Sequence, residues 1–416
     1  MRKAYWRILP LICLAYLLAW VDRVNVSFAS IQMNVDLRFS ATIYGLGGGL
    51  FFLSYALIAV PSNLFLVRFG ARSWLGRIMI AWGLLAAGMM FVRTPMQFYA
   101  LRFLLGVAEG GFFPGVIYYF SDWFPTAFRG RAISRFFVAG PLASVVMGGV
   151  SGWLLGLDGL ANLRGWQWLF LVQGLPSVVA GLLVLRYLPN SPGTVTWLSP
   201  PEKTWIQQRL SAEAARIRAP TNDQVFSAFC HPRTLQLGVI SFLMLGSTVT
   251  LILSAPAVLR TGTGLDTRHI GHLVTAGGIV GALSMLLAGW YSDHKGDRLL
   301  MACRCMAVVS LSLVVLAVSS SLTIVAAAYL AFSAVCFTVV MLTASSWADV
   351  LHVRQLAIGA AVINTLGNLG AFLMPYCWGV IKDETGDFQA GLMGLSVMAL
   401  LCAALILKLR RGIRRA

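Results

Sequence analysis

The chain has 416 residues, of which 58% are apolar and only 11% charged, with a mean hydropathy of +0.78; a soluble domain is closer to half apolar and a quarter charged. That balance argues against an ordinary soluble enzyme and predicts an all-α, polytopic membrane protein. The formal net charge of +17 would suit a nucleic-acid partner, but the basic residues gather in alternate connections, as they do in membrane proteins whose basic loops stay in the cytoplasm.

About 20 apolar residues cross a bilayer. The apolar runs predict twelve helices, at 6–27, 43–67, 73–93, 96–120, 132–157, 165–188, 234–258, 268–291, 299–318, 321–345, 355–380 and 387–409. With a cytoplasmic N-terminus, 24 of the 32 Lys and Arg lie in or beside cytoplasmic segments. The even number of spans then returns the C-terminus to the same side. Gly and Pro recur inside the runs, as in Gly45-Leu-Gly47-Gly48-Gly49 and Gly148-Gly149-x-x-Gly152. Such glycines let membrane helices approach closely.

The first run carries Asp22-Arg23, and the fourth carries Arg102 and Glu109. Seven residues are about two helical turns, so Arg102 and Glu109 share a face, roughly 10 Å apart along the axis. A charge near the middle of a membrane helix costs on the order of 3 kcal/mol and is tolerated where it faces protein or water. One reading is a binding or proton-relay face; the other is a buried ion pair that pins helices together. The four charges sum to zero. A cavity with two arginines suits an anion, for which Asp22 and Glu109 compete. Protonating the carboxylates removes the competition, so proton and anion binding favour each other, as symport requires.

Residues 189–232 form the one long connection, with Asn190-Ser-Pro-Gly, Ser199-Pro-Pro-Glu and a polar stretch over 202–218. It divides the chain into an N-terminal six-helix bundle (1–188), a cytoplasmic central loop, and a C-terminal six-helix bundle (233–416). An internal repeat supports the division. Residues 63–72, with Arg68, Gly70 and Arg72, end the second run; residues 289–298, with Asp293, Gly296 and Arg298, end the eighth. Two similar helical halves typify secondary transporters, with the substrate between them.

The seven cysteines are scattered without a Cys-x-x-Cys pair, which reads as apolar filler. All five histidines fall at predicted helix ends. No His-x-x-x-His, cysteine cluster or Gly-x-Ser-x-Gly suggests an enzyme, and no metal or cofactor is expected.

The two loop motifs resemble the signature loop of the major facilitator superfamily, Gly-x-x-x-Asp-Arg-x-Gly-Arg-Arg. The C-terminal copy is the better match; in the N-terminal copy Asn63 and Val67 replace the first Gly and the Asp. Within the superfamily the chain resembles the anion:cation symporter family, which handles tartrate, sugar acids, phthalate, hydroxyphenylacetate and glutamate. The similarity runs nearly end to end. It is carried by Asp22-Arg23-Val-Asn25, Phe51-Phe-Leu-Ser-Tyr55, Val60-Pro61-Ser62-Asn63, Arg102 through Gly115, Trp123-Phe-Pro, Gly165-Trp-Gln-Trp, Gly174-Leu-Pro176 and Asn364-Thr-Leu-Gly367-Asn368. Ala59 and Gln173 stand where relatives often carry an acid.

The resemblance implies two pseudo-symmetric six-helix bundles and proton-coupled uptake of a small organic anion by alternating access; the alternatives are an organic-anion exchanger of the same fold and a non-transporting membrane sensor or scaffold. It implies Asp22 and Glu109 as proton-coupling carboxylates, Arg23 and Arg102 as substrate arginines, and Tyr55, Ser346, Trp347 and Asn364 as further substrate contacts. Arg68, Gly70, Arg72, Asp293, Gly296 and Arg298 would form the gating loops. The expected setting is a bacterial inner membrane with both termini cytoplasmic. The expected partners are an organic anion, protons and the bilayer, with no nucleic acid; a monomer is the simplest assembly, and the proton gradient is the only drive.

Overall fold

A computed structural model describes residues 1–214, 231–351 and 353–415. The described residues form fifteen α-helices and no strand. In chain order they are α1 Arg2–Asp36, α2 Ala41–Phe69, α3 Ala71–Gly88, α4 Pro95–Glu109, α5 Phe112–Trp123, α6 Thr126–Phe137, α7 Ala139–Leu155, α8 Gly165–Tyr187, α9 Pro200–Ala214, α10 Pro232–Thr263, α11 Thr267–Lys295, α12 Arg298–Val318, α13 Leu322–Val350, α14 Val353–Thr385 and α15 Gln389–Arg415. Among the described residues, twelve spans are long and apolar enough to cross a bilayer. The fourth combines α4 and α5, and the fifth combines α6 and α7.

The connections are written in short polar caps. Ser40 accepts the Ile43 N–H at the start of α2, Thr94 and Gln97 form a reciprocal cap on α4, and Asp266 accepts the His269 N–H on α11. These side chains satisfy first-turn amides that have no partner within the helix. Gly70 and Gly296 both hold positive φ, +82° and +71°, where a side chain would be strained. The two loop motifs therefore turn the chain at equivalent places.

α1 departs from expectation: it continues to Asp36 rather than ending near residue 27. Its polar residues Asp22, Asn25, Ser27 and Ser30 are buried against other helices, so loss of apolar character does not end the helix. The Trp166 indole fixes the far end by donating to Asp36 Oδ2 at 2.9 Å. Asp22 and Arg23 consequently lie in the middle of α1.

Among the described residues, the N-terminus, the C-terminal end of α15 and the start of the central segment lie at one end of the antiparallel bundle. At the opposite end the first six and last six spans meet closely. A Cβ on Gly45 would lie 2.1 Å from the Pro375 carbonyl oxygen, one on Gly49 2.4 Å from that of Phe372, and one on Gly148 2.4 Å from that of Gly271. The Tyr44 hydroxyl donates to the Leu253 carbonyl at 2.8 Å. Gly148 and Gly152 serve close packing as expected, whereas Gly149 faces open space.

The described part of the central segment, up to Ala214, packs on the first half. Trp197 stacks on Trp123 at 5.8 Å, Glu202 pairs with Lys3 at 3.0 Å, and Glu213 caps α6 through the Thr126 amide and hydroxyl. The end of the polar stretch expected at 202–218 lies outside the described residues.

Candidate functional site

Three helices of the first half place the four membrane-embedded charges. The stripe Gly47, Phe51, Tyr55 recurs every four residues on α2 and so lies on one face. Span four approaches that face through Gly106, Gly110 and Gly111. A Cβ on Gly106 would lie 2.2 Å from the Phe51 carbonyl oxygen, and one on Gly111 would lie 1.6 Å from Ser62 Oγ. The helix is interrupted at this glycine pair, directly after Glu109.

Arg23 Nε donates to Glu109 Oε1 at 2.8 Å, and its Nη2 reaches the same oxygen. Glu109 is fully buried, and its Oε2 has no partner. Asp22 Oδ1 accepts from Asn25 Nδ2 at 3.1 Å, leaving Oδ2 buried without a partner. Arg102 is 1% exposed, yet among the described residues it makes one long hydrogen bond, Nε to the Gly47 carbonyl at 3.4 Å. Both guanidiniums lie against one ring: Phe51 is 5.5 Å from Arg23 and 4.9 Å from Arg102. Tyr55 and Trp20 flank Arg23 at 5.0 and 5.1 Å. Such cation–π contacts hold a guanidinium without consuming its N–H donors.

The structure thus brings Asp22, Arg23, Tyr55, Arg102 and Glu109 together. The expected contacts from the second half are not in this cluster. The Ser346 hydroxyl donates to the Thr343 carbonyl of its own helix at 2.7 Å. Trp347 has a buried indole N–H without a partner. The halves meet nearer α13's middle, where Phe337 contacts Trp20 edge-on at 5.5 Å. Trp347 is ten residues further on, about 15 Å toward the termini.

Asn364 is exposed, on the α14 stripe that carries Phe372 and Gly379 against α2. It lies about 12 Å from Phe372 toward the termini, close to the level of Tyr55, which is about 9 Å below Gly49. Asn368, one turn away, donates to the Asn364 carbonyl at 2.8 Å. Gln173 is buried and donates to Met147 Sδ, with Oε1 unpartnered.

The loop residues divide by partner. Arg72 donates to the Leu185 carbonyl at 2.5 Å, tying the α2–α3 turn to the end of α8. Arg68 lies over the Phe69 ring. Arg298 pairs with Asp349 at 3.1 Å, while Asp293 belongs to α11 with its side chain outside the described residues.

Sequence reasoning missed Trp20, Phe51 and the Gly47 carbonyl. The four-residue spacing of Gly47, Phe51 and Tyr55 was the available signal. A separate, largely apolar cavity begins one residue past Arg23, lined by Val24, Phe28, Ile252, Val274, Phe332 and Phe337 among others, with no charged residue in its wall.

Comparison with known proteins places this arrangement in a family. The profile described as Major Facilitator Superfamily matches residues 12–375. The chain is 37% identical over 414 residues to a putative tartrate transporter of Agrobacterium vitis, covering 99% of this chain and 94% of that protein. It is 38% identical to the putative metabolite transport protein NicT of Pseudomonas putida, covering 98% and 93%. It is 36% identical to a quinolone resistance transporter of Acinetobacter baumannii, covering 96% and 92%. Among solved structures, the inward-open xylose transporter XylE from E. coli superposes with a TM-score of 0.76 at 13% identity, covering 96% and 95%. That similarity concerns the fold alone. The chain is a multi-pass membrane transporter that belongs to the Major Facilitator Superfamily.

Proposed function

We propose that this transporter carries a small organic carboxylate together with protons, by alternating access, from outside the cell to the cytoplasm. The observation that carries the reading is the pair Arg23 and Arg102. Both guanidiniums lie on Phe51, and the two nearby carboxylates each retain an oxygen without a partner. A carboxylate substrate takes planar, charge-assisted bonds from arginine. In the proposed cycle, Glu109 holds Arg23 while unprotonated. Protonation weakens that pair and frees Arg23 for the substrate, so proton and anion enter together. Arg102, held by one long bond to a carbonyl, supplies the second anchor. Asn364 and Trp347, across the divide, complete the site when the halves rock.

The relatives named for tartrate and metabolite transport fit this substrate class, as does the resemblance to anion:cation symporters. The excess of basic residues at the end carrying both termini supports placing that end in the cytoplasm, in a bacterial inner membrane. The two halves, 1–188 and 233–416, are then the rocking units, joined through the central loop.

The test is uptake by proteoliposomes of labelled tartrate, a hexonate, phthalate, hydroxyphenylacetate and a neutral sugar, with and without an inward proton gradient. Gradient-driven uptake of one acid, abolished in Arg102→Ala, is the expected result. Uptake of the neutral sugar, or gradient-independent uptake unaffected by Arg102→Ala, overturns it. The exchange alternative is favoured by one specific result: counterflow that persists while no gradient accumulates substrate.

A further inference from the structure

We propose that the turn between α2 and α3 carries a binding site for the phosphodiester headgroup of an anionic phospholipid. The site is built on Phe69. Two guanidiniums lie over this one ring, Arg68 at 5.7 Å and Arg77 at 5.4 Å. Neither arginine has a carboxylate within ion-pair distance among the described residues. Val67 occupies the position where the loop signature carries an aspartate, so the turn offers the arginines no acid at that position. Arg72, the third basic residue here, is already committed to the Leu185 carbonyl. Two like charges gathered around one ring without a counter-charge favour an anion beside them. Arginine forks match phosphate oxygens in geometry as well as in charge.

The surroundings point to a lipid rather than a free anion. The last two turns of α2 leave several apolar side chains outward: Leu64 is 70% exposed, Val67 64% and Phe69 44%, while Leu66 is buried. Phe65 packs on Trp74 at 5.2 Å, and Trp74 stacks on Phe69 at 5.9 Å. Exposed apolar and aromatic side chains at the end of a span lie at the boundary between acyl chains and headgroups. Arg77 starts six residues into α3, about 9 Å along the helix, and reaches back to the Phe69 ring as a snorkelling side chain does. Its charge therefore sits at headgroup level while its stem stays with the acyl chains. Phosphate oxygens at the guanidiniums around Phe69 and acyl chains on Leu64 and Phe65 satisfy both surfaces at once.

The experiment is native mass spectrometry of the purified full-length protein titrated with phosphatidylglycerol or with phosphatidylcholine of the same chains. Wild type should retain one more phosphatidylglycerol than phosphatidylcholine. A basic residue near an anionic leaflet contributes roughly fivefold to binding, so Arg68→Gln/Arg77→Gln should weaken that lipid about thirtyfold. Arg304→Gln/Lys408→Gln, which removes two charges from the same end of the other half, should leave it unchanged. If the first double variant fails to purify, Phe69→Leu keeps the charges, removes the ring that aligns them, and should lower retention severalfold. Equal retention of the two lipids by wild type overturns the proposal, as does equal loss in the two double variants. Displacement of the lipid by inorganic phosphate at matched concentration overturns the lipid assignment.

Discussion

Asp383 caps the first turn of α2 from the other half of the molecule: its Oδ2 accepts the Thr42 N–H at 2.8 Å, and its Oδ1 accepts the Ala41 N–H at 2.9 Å. With Ser40 taking the Ile43 amide, the first three free donors of α2 are satisfied, two of them across the divide. In the proposed alternating-access cycle, these two bonds would exist only while the end away from the termini is closed. Opening that end exposes the amides to water and frees the carboxylate.

Losing a cap of this kind costs about 1 kcal/mol. Asp383→Ala should therefore shift the balance between closed and open about fivefold toward open at that end, with Asp383→Asn in between. Spin labels at Arg38→Cys and Asp387→Cys, in a background without native cysteines, would report the distance distribution by pulsed electron resonance. An Asp383→Ala distribution superimposable on wild type would show that the cap carries no weight in closure.

Glu109 is the partner of Arg23, and in the proposed cycle neutralising it should separate coupling from binding. Glu109→Gln can still accept from Arg23 but cannot release a proton. Counterflow should persist within about threefold of wild type, whereas accumulation against a gradient should fall to background. Arg102→Lys keeps the charge and loses the planar fork; uptake should fall roughly tenfold or more. Loss of counterflow together with accumulation in Glu109→Gln would assign Glu109 to holding Arg23 rather than to carrying the proton.

The charged cluster was legible in the sequence because four charges stand out in apolar runs, and helical spacing places Arg102 and Glu109 on one face. Phe51 and Trp20 were not, because aromatic residues are common in membrane helices and only the fold shows which ring meets a guanidinium. Ser346 exposes another limit: a residue type does not say whether a hydroxyl turns to a cavity or back to its own helix, and here it bonds Thr343. Arg68 and Arg72 are adjacent in one motif yet differ in partner, because the carbonyl that takes Arg72 comes from α8, more than a hundred residues away. Which end of the bundle is closed was not readable either, since the sequence is the same whichever end is closed.

Gly106 and Gly149 make opposite predictions despite lying in similar apolar runs. A Cβ at Gly106 would lie 2.2 Å from the Phe51 carbonyl oxygen and 2.1 Å from Ser54 Oγ, whereas one at Gly149 meets nothing within 4 Å. Backbone cannot swing aside as a side chain can, so Gly106→Ala must part α2 from α4 and move Phe51 off the guanidiniums. Overpacking of this kind costs about 1–3 kcal/mol. Thermal unfolding followed by tryptophan fluorescence should show a drop of several degrees with loss of uptake. Gly149→Ala should match wild type in both; equal behaviour of the two variants would refute the packing account.

The docking of α9 should be insensitive to mild acid. Glu202 accepts the Ser199 amide at 2.8 Å and pairs with Lys3 at 3.0 Å. The backbone bond first, and the lysine second, pull its carboxyl down from the usual 4.5 to about 2. Glu213 is also held below its ordinary value by its bonds to Thr126, against a desolvation that pushes the other way. A carboxylate with a depressed folded-state pKa contributes stability that is fully present above its unfolded pKa and is lost as the pH falls through the folded one. For Glu202 that window runs from about 4.5 down to about 2. Tryptophan fluorescence from Trp197 and Trp205 should therefore hold constant from pH 8 to 5 and change only below about 4. Glu202→Gln should remove that acid transition, and a transition near pH 6 to 7 in wild type would assign the docking to other groups.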